Sequence, residues 1–175
     1  MVPLSMKEGN RYLEIISRSK LRCITMEEEY NDRGDYDLHW SMVKRVAQVY
    51  AEYKSDNGKF DYTDMVELFV KQGTGPVLEV LIVDEAQDLT PLQWKQVTIL
   101  KERASRVYYA GDDDQCIHRW NGVDLNSFMN ACDNKIILNK SFRVPRSVYL
   151  LANKLVNRIG VRQEKEWAPR DAEGD

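Results

Sequence analysis

One stretch constrains this chain more than any other: Val77, Leu78, Glu79, Val80, Leu81, Ile82 and Val83, closed by Asp84 and Glu85. It is β-branched and almost continuously apolar, so it reads as a strand buried on both faces. Such strands belong to parallel sheets covered by helices. Thr90 follows as a helix N-cap, with Pro91 at the first helical position and Gln93 closing a capping box. That helix is expected to run to about Glu102. Residues 107–110 read as a second strand and 125–131 as a short helix. A third strand is expected over Lys135, Ile136, Ile137 and Leu138. The last helix, over 145–159, turns Val148, Leu151, Leu155 and Ile159 inward and stops at Gly160. Strand, helix, strand, helix, strand builds parallel crossovers, so the expected class is α/β. Ligands of such sheets bind beyond the carboxyl ends of the strands. The residues with chemistry to offer fall there: Asp84 and Glu85, then the segment 111–115, then Arg143.

Upstream the pattern is helical. Residues 12–30 are helix-like, 31–35 form a loop, and 38–54 form an amphipathic helix with Leu38, Met42, Val46, Val49, Tyr50 and Tyr53 on one stripe. Asp56, Asn57 and Gly58 end it. A shorter helix over 64–71 stops at Gly73. The expected division is a helical segment over 1–58, the α/β part over 59–160, and a tail over 161–175.

The net charge of −3 says little, but its distribution says more. Five Asp lie between Gly111 and Asp133, against Arg119 alone; eight Lys and Arg lie between Lys140 and Arg170, against Glu164 and Glu166. An acidic loop followed by a basic segment suits a site that handles a metal and phosphates together. Cys23, Cys116 and Cys132 are odd in number and lack metal-ligand spacing, so they read as reduced thiols of a cytoplasmic protein. The first ten residues have no signal-peptide core, and no apolar run approaches the ~18 residues of a membrane span.

Three strings carry chemistry. In Asp84-Glu85-Ala86-Gln87-Asp88, one carboxylate can hold Mg²⁺, because hard cations take oxygen ligands. Its neighbour can orient and deprotonate a water attacking a phosphate. In the string from Gly111 to Gly122, Gln115 can donate to a phosphate oxygen and accept from water. Trp120, beside Arg119 and His118, offers a platform on which single-stranded bases stack regardless of sequence. In Leu138-Asn139-Lys140-Ser141-Phe142-Arg143, the Arg can reach a γ-phosphate and Phe142 can stack on adenine.

Together, in this order and spacing, the three strings resemble motifs II, III and IV of the UvrD/Rep helicases. Upstream, Phe60-Asp61-Tyr62-Thr63-Asp64-Met65 resembles that family's Asp-Phe-Asp-Asp-Leu string. The resemblance implies a partial RecA-like sheet of the P-loop NTPase type, with part of a helical insertion ahead of it. It also implies roles by position: Asp84 as Mg²⁺ ligand, Glu85 as catalytic base, Gln115 and Arg143 as γ-phosphate contacts, and Phe142 on the adenine. Trp120, His118 and Tyr62 fall where the family stacks single-stranded DNA. The parent reaction would be ATP hydrolysis coupled to translocation on single-stranded DNA. His118 stands where the family has Tyr, Asn121 where Arg is usual, and Ser141 where Asn is usual.

These 175 residues contain no Gly-x-x-x-x-Gly-Lys-Ser/Thr string, the backbone cradle for phosphates. The chain is therefore expected to be inactive alone and to need a phosphate-loop segment and a second motor domain as partners. A sheet lacking its middle strand would expose apolar edges, so dimerisation through them is expected. Two rivals are a non-enzymatic module binding single-stranded DNA or a helicase partner, and a metal-dependent nuclease using Asp84, Glu85 and Asp112 to Asp114. The second leaves Gln115, Trp120 and Arg143 without a role.

Overall fold

The structure, a computed structural model, describes residues 6–34, 37–117, 122–160 and 162–174. The N-terminal part is helical, as expected, but the helix over 12–30 is two helices: α1 (Met6–Arg22) and α2 (Met26–Arg33). Cys23 breaks them apart with φ at 57°, and Thr25 restarts the chain through a capping box with Glu28. α2 continues through residues 31–33, where a loop is expected, and ends on Gly34 in the left-handed conformation.

α3 (Trp40–Asp56) corrects the expected stripe in part: Leu38 and Val46 pack on the core as expected. Its buried residue is Val43, whereas Met42, Val49 and Tyr53 are exposed. The face is chosen by the partner: Tyr12 and Ile15 of α1 pack with Leu38 and Val43, and Met26, Tyr30 and Trp40 close around them. α4 (Tyr62–Gln72) starts two residues before the expected helix, because Asp61 is its N-cap in a box with Asp64; Gly73 ends it.

Ion pairs fasten these helices. Glu29 is fully buried between Arg18 at 2.7 Å and Arg22 at 2.5 Å. Asp64 on α4 receives Lys20 from α1 at 2.9 Å and Lys54 from α3 at 2.5 Å. Burial pushes the Asp64 carboxyl up, but the two ammonium groups outweigh it and hold it well below the usual carboxylate range.

The α/β part consists of β1 (Leu78–Val83), α5 (Pro91–Lys101) and β2 (Ala104–Tyr109). The strands are parallel, with Leu78 opposite Ala104 and Val83 opposite Tyr109. Thr90 and Gln93 form the expected capping box. Val83, Ala86 and Val97 make a second core, with Leu81, Trp94, Tyr109 and Phe128 packed on it. β1 is not buried on both faces, however: Val80 is exposed and Ile82 is 68% exposed. α5 packs against these strands, and Val80 and Ile82 lie outside the core it makes with them.

After α6 (Leu125–Met129) the expected third strand does not form. Ile136 and Leu138 are 91% and 84% exposed. An apolar run becomes a strand only where neighbours take up its backbone groups. Pairing begins further on: Ser141 donates to the Ala168 carbonyl at 2.8 Å, Ala168 donates to that of Asn139 at 2.8 Å, and Arg170 to that of Val144 at 2.9 Å. The C-terminal tail thus lies along 139–144, with Lys140 and Ala168 in a parallel bridge. α7 (Arg146–Val156) follows Pro145. Its Val148, Leu151 and Leu155 are exposed rather than inward, and the helix ends at Val156, short of the expected Ile159. No helix among the described residues is long and apolar enough to cross a membrane.

Candidate functional site

The site is built where β1 and β2 end. The ladder runs past both strands: Ala110 donates to the Val83 carbonyl at 2.8 Å, and Ala86 to that of Ala110 at 2.9 Å. Asp84 and Glu85 lie between these two bonds and are squeezed outward, so both are exposed. Glu85 takes φ 49° and ψ 38°. A glutamate in the left-handed region is strained, and such strain gathers at functional positions. One Asp84 carboxylate oxygen, Oδ1, accepts the Glu85 backbone N–H at 2.9 Å. Asp84 and Glu85 offer adjacent, solvent-facing carboxylates, a donor set that fits a hard cation such as Mg²⁺.

Gln87 connects this turn to the next. It is 1% exposed. Its Nε2 donates to Glu85 Oε2 at 2.9 Å and to Asp88 Oδ2 at 3.2 Å, while its Oε1 accepts the Asp112 backbone N–H at 3.0 Å. A buried amide is stable only when so paired. Gly111 is required beside it, because a Cβ there would lie 2.5 Å from Gln87 Oε1 and 2.9 Å from the Phe128 ring. Sequence reasoning passed over Gln87 as a member of a string. Its signal is the amide two residues after Glu85, in a segment otherwise acidic or apolar.

Gln115 ends a short 3-10 turn over Asp113–Gln115 and is exposed. Its Nε2 donates to Asp112 Oδ2 at 2.6 Å. The loop's acidic charge is answered by the tail. Lys165 Nζ meets Asp112 Oδ1 at 2.5 Å, Asp113 Oδ1 at 2.6 Å and Asp114 Oδ2 at 3.2 Å. Arg162 grips Asp114 through two bonds of 2.8 Å, and the Gln163 backbone N–H donates to Asp113 Oδ2 at 2.5 Å. The acidic loop and basic segment are therefore each other's partners. That qualifies the reading of the two as a joint binder of metal and phosphate. Burial raises the Asp112 carboxyl, but Lys165 and Gln115 outweigh it and leave it below its ordinary value.

A cavity of about 430 Å³ opens beside Gln115, lined also by Gly111, Asp112, Val148 and Val156 of α7, and Trp167. A larger open groove of about 1020 Å³ lies elsewhere, among Lys20, Lys54, Phe60, Asp64 and Lys95, and is not lined by Asp84, Glu85 or Asp112. Arg143 and Phe142 are exposed, Phe142 by 85%. The Arg143 backbone N–H bonds to Ser141 Oγ at 3.3 Å, and its guanidinium has no ion pair among the described residues. Tyr62 is exposed at the first turn of α4, remote in sequence from the two strand ends. His118, Trp120 and Asn121 lie outside the described residues. So Asp84, Glu85, Gln87, Asp112 and Gln115 are joined by hydrogen bonds, while Arg143, Phe142 and Tyr62 stand apart from that network.

The family model described as the UvrD/REP helicase N-terminal domain matches residues 4–135. An ATP-dependent DNA helicase PcrA of Leuconostoc citreum is 27% identical over 147 residues, covering 74% of this chain and 20% of its own length. One from Staphylococcus epidermidis is 24% identical, covering 96% of this chain and 25% of its own length. A DNA helicase II of Haemophilus influenzae is 26% identical, covering 85% of this chain and 22% of its own length. The chain thus spans about a fifth to a quarter of the length of the curated relatives it matches.

Proposed function

The chain belongs to the UvrD/Rep helicase family, and on that premise we propose that it supplies the metal-binding, water-activating and phosphate-sensing part of an ATP-dependent DNA helicase. The observation that carries this is the Gln87 amide, which ties the Glu85 carboxylate to the Asp112 backbone and brings two motifs to one end of a parallel sheet. Asp84 would hold Mg²⁺, which would neutralise phosphate charge during transfer. Glu85 accepts a proton from the attacking water. Gln115 contacts the γ-phosphate, and Arg143, free of ion pairs among the described residues, reaches the same group. Phe142 presents its ring to adenine. Single-stranded DNA is taken on Trp120, His118 and Tyr62.

Phosphate cradling and the second motor domain come from partner segments outside these 175 residues, so the chain alone binds Mg²⁺ without turning over ATP. The division into a helical segment over 1–58, a RecA-like part over 59–160 and a linking tail is part of the same reading. Two measurements test it. Mg²⁺ titrated into the ¹⁵N-labelled chain is expected to shift the amides of residues 84–86, and Asp84→Asn to abolish the response; an unmoved spectrum counts against the reading. ATP turnover, with and without single-stranded DNA, is expected to be absent in the chain and in Glu85→Gln alike. Turnover lost only in Glu85→Gln would mean that the chain completes a nucleotide site by itself. A non-enzymatic DNA-binding module is favoured by the 89% exposure of Tyr62. Tight oligonucleotide binding with no response to Mg²⁺ would select it.

A further inference from the structure

The tail does more than pair with acid. Lys165 Nζ sits on one oxygen of the Asp112 carboxylate, at 2.5 Å from Oδ1, and the Gln115 amide sits on the other, at 2.6 Å from Oδ2. The Asp112 backbone N–H is the donor that holds Gln87 Oε1, and the other end of that same amide holds Glu85. A continuous path of hydrogen bonds therefore runs from Lys165 through Asp112 to both Gln115 and Glu85. Along this path Lys165 is the only cation, and its side chain is 14% exposed.

We propose that Lys165 is a positioning residue for the proposed phosphate-sensing amide of Gln115 and the proposed base Glu85, acting through Asp112. Three carboxylates lie in sequence on this loop, and without a cation they repel one another. Lys165 reaches all three, whereas Arg162 reaches Asp114 alone. Removing Lys165 leaves Asp112 Oδ1 with only the Asp114 backbone N–H at 3.2 Å, so the carboxylate turns toward water and its other oxygen no longer fixes the Gln115 side chain. The Asp112 backbone then loosens its hold on Gln87. Because Lys165 belongs to the tail that runs back along 139–144, any displacement of the tail is read at the two ends of β1 and β2. The roles of Gln115 and Glu85 rest on the functional reading above, but the positioning itself needs no nucleotide.

The side-chain amide resonances of Gln115 and Gln87 in the ¹⁵N-labelled 175-residue chain report the path directly. In Lys165→Met, the Gln115 amide protons are expected to move toward the position of a solvated glutamine and to lose their slowed exchange, with a smaller shift at Gln87. Lys165→Arg restores both, and Arg162→Met leaves both in place while moving only resonances of Asp114 and its neighbours. Unchanged Gln115 and Gln87 signals in Lys165→Met overturn the proposal, as does an equal effect from Arg162→Met, which would mean general charge balance. If Lys165→Met does not fold, the wild-type chain decides. Cross-relaxation between the Lys165 Hε and Asp112 Hβ protons, and between the Gln115 amide and the same Hβ protons, is expected, and its absence overturns the proposal. Failure of the Mg²⁺ titration would strike the functional reading and leave these signals untouched.

Discussion

Gln87 Oε1 accepts the backbone N–H of Asp112 at 3.0 Å, joining residues 25 apart in sequence, and does so from a side chain almost entirely out of water. The amide cannot be traded for a hydrocarbon of the same length. Gln87→Met leaves the part-buried Asp112 N–H and two carboxylate oxygens without their partner. A loss of about 2 kcal/mol is expected, read in urea unfolding. Gln87→Glu is expected to be worse, because it puts a third acid beside Glu85 and Asp88.

Gly111→Ala tests the close approach at the same place. The new methyl meets Gln87 Oε1 and the Phe128 ring below van der Waals distance. Overpacking of this kind costs about 1–3 kcal/mol. The thermal midpoint should fall, and the Gln87 side-chain amide signals should shift more than those of α1 to α4.

Glu85 separates stability from chemistry. Its left-handed backbone is strained by the side chain, and relieving such strain is worth about 1 kcal/mol. Glu85→Gly is expected to unfold at equal or higher urea concentration despite losing the bond to Gln87, while Glu85→Ala, with strain retained and bond lost, unfolds earlier. A variant stabilised by deleting the proposed base is the signature of a residue kept for work other than folding.

Acid should undock the tail. Asp112 lies below its ordinary value, burial being outweighed by Lys165 and Gln115. Its contribution is therefore present above the unfolded carboxyl pKa of about 4 and is lost as pH falls through the depressed folded value. Burial lowers the Lys165 pKa, but its carboxylate partners prevail and leave it raised. Its contribution is complete at neutral pH and is lost only above the ordinary lysine range. The Gln163 amide, which donates to Asp113, should show faster exchange below pH 4 and no such change between pH 7 and 9 once intrinsic rates are divided out.

β1 and β2 expose the apolar side chains Val80, Ile82 and Tyr108, through which the isolated chain is expected to self-associate. Sedimentation should show mass rising with concentration, and Ile82→Lys should shift the balance to monomer. A monomer at all concentrations sinks this expectation.

What was legible in the sequence was what neighbours in sequence decide. The box of Thr90 and Gln93, the stop at Gly73 and the carboxylates beyond β1 all rest on contacts a few residues long. The family resemblance was legible too, since it is carried by contiguous strings. Faces were not. Val43 rather than Met42 is buried because α1 lies on that side, and nothing within residues 38–54 records where α1 lies. The strand expected over 135–138 failed for a related reason: its apolar side chains were visible, but strand pairing is decided elsewhere, by a tail that takes up the backbone from Asn139 onward. The charge pattern pointed to the acidic loop and the basic segment without saying that each would be the other's counterion.

The bond between Lys165 and Asp112 closes a loop of 53 residues. Contacts so distant in sequence pay their closure entropy before they return anything, so they form late. The capping boxes and the parallel pair joined by a single helix can assemble from short-range encounters. On a ribosome, the acidic triplet is synthesised before its lysine. The end of the molecule that carries Asp84, Glu85 and Asp112 thus takes its shape late, and until then three neighbouring carboxylates lack their lysine.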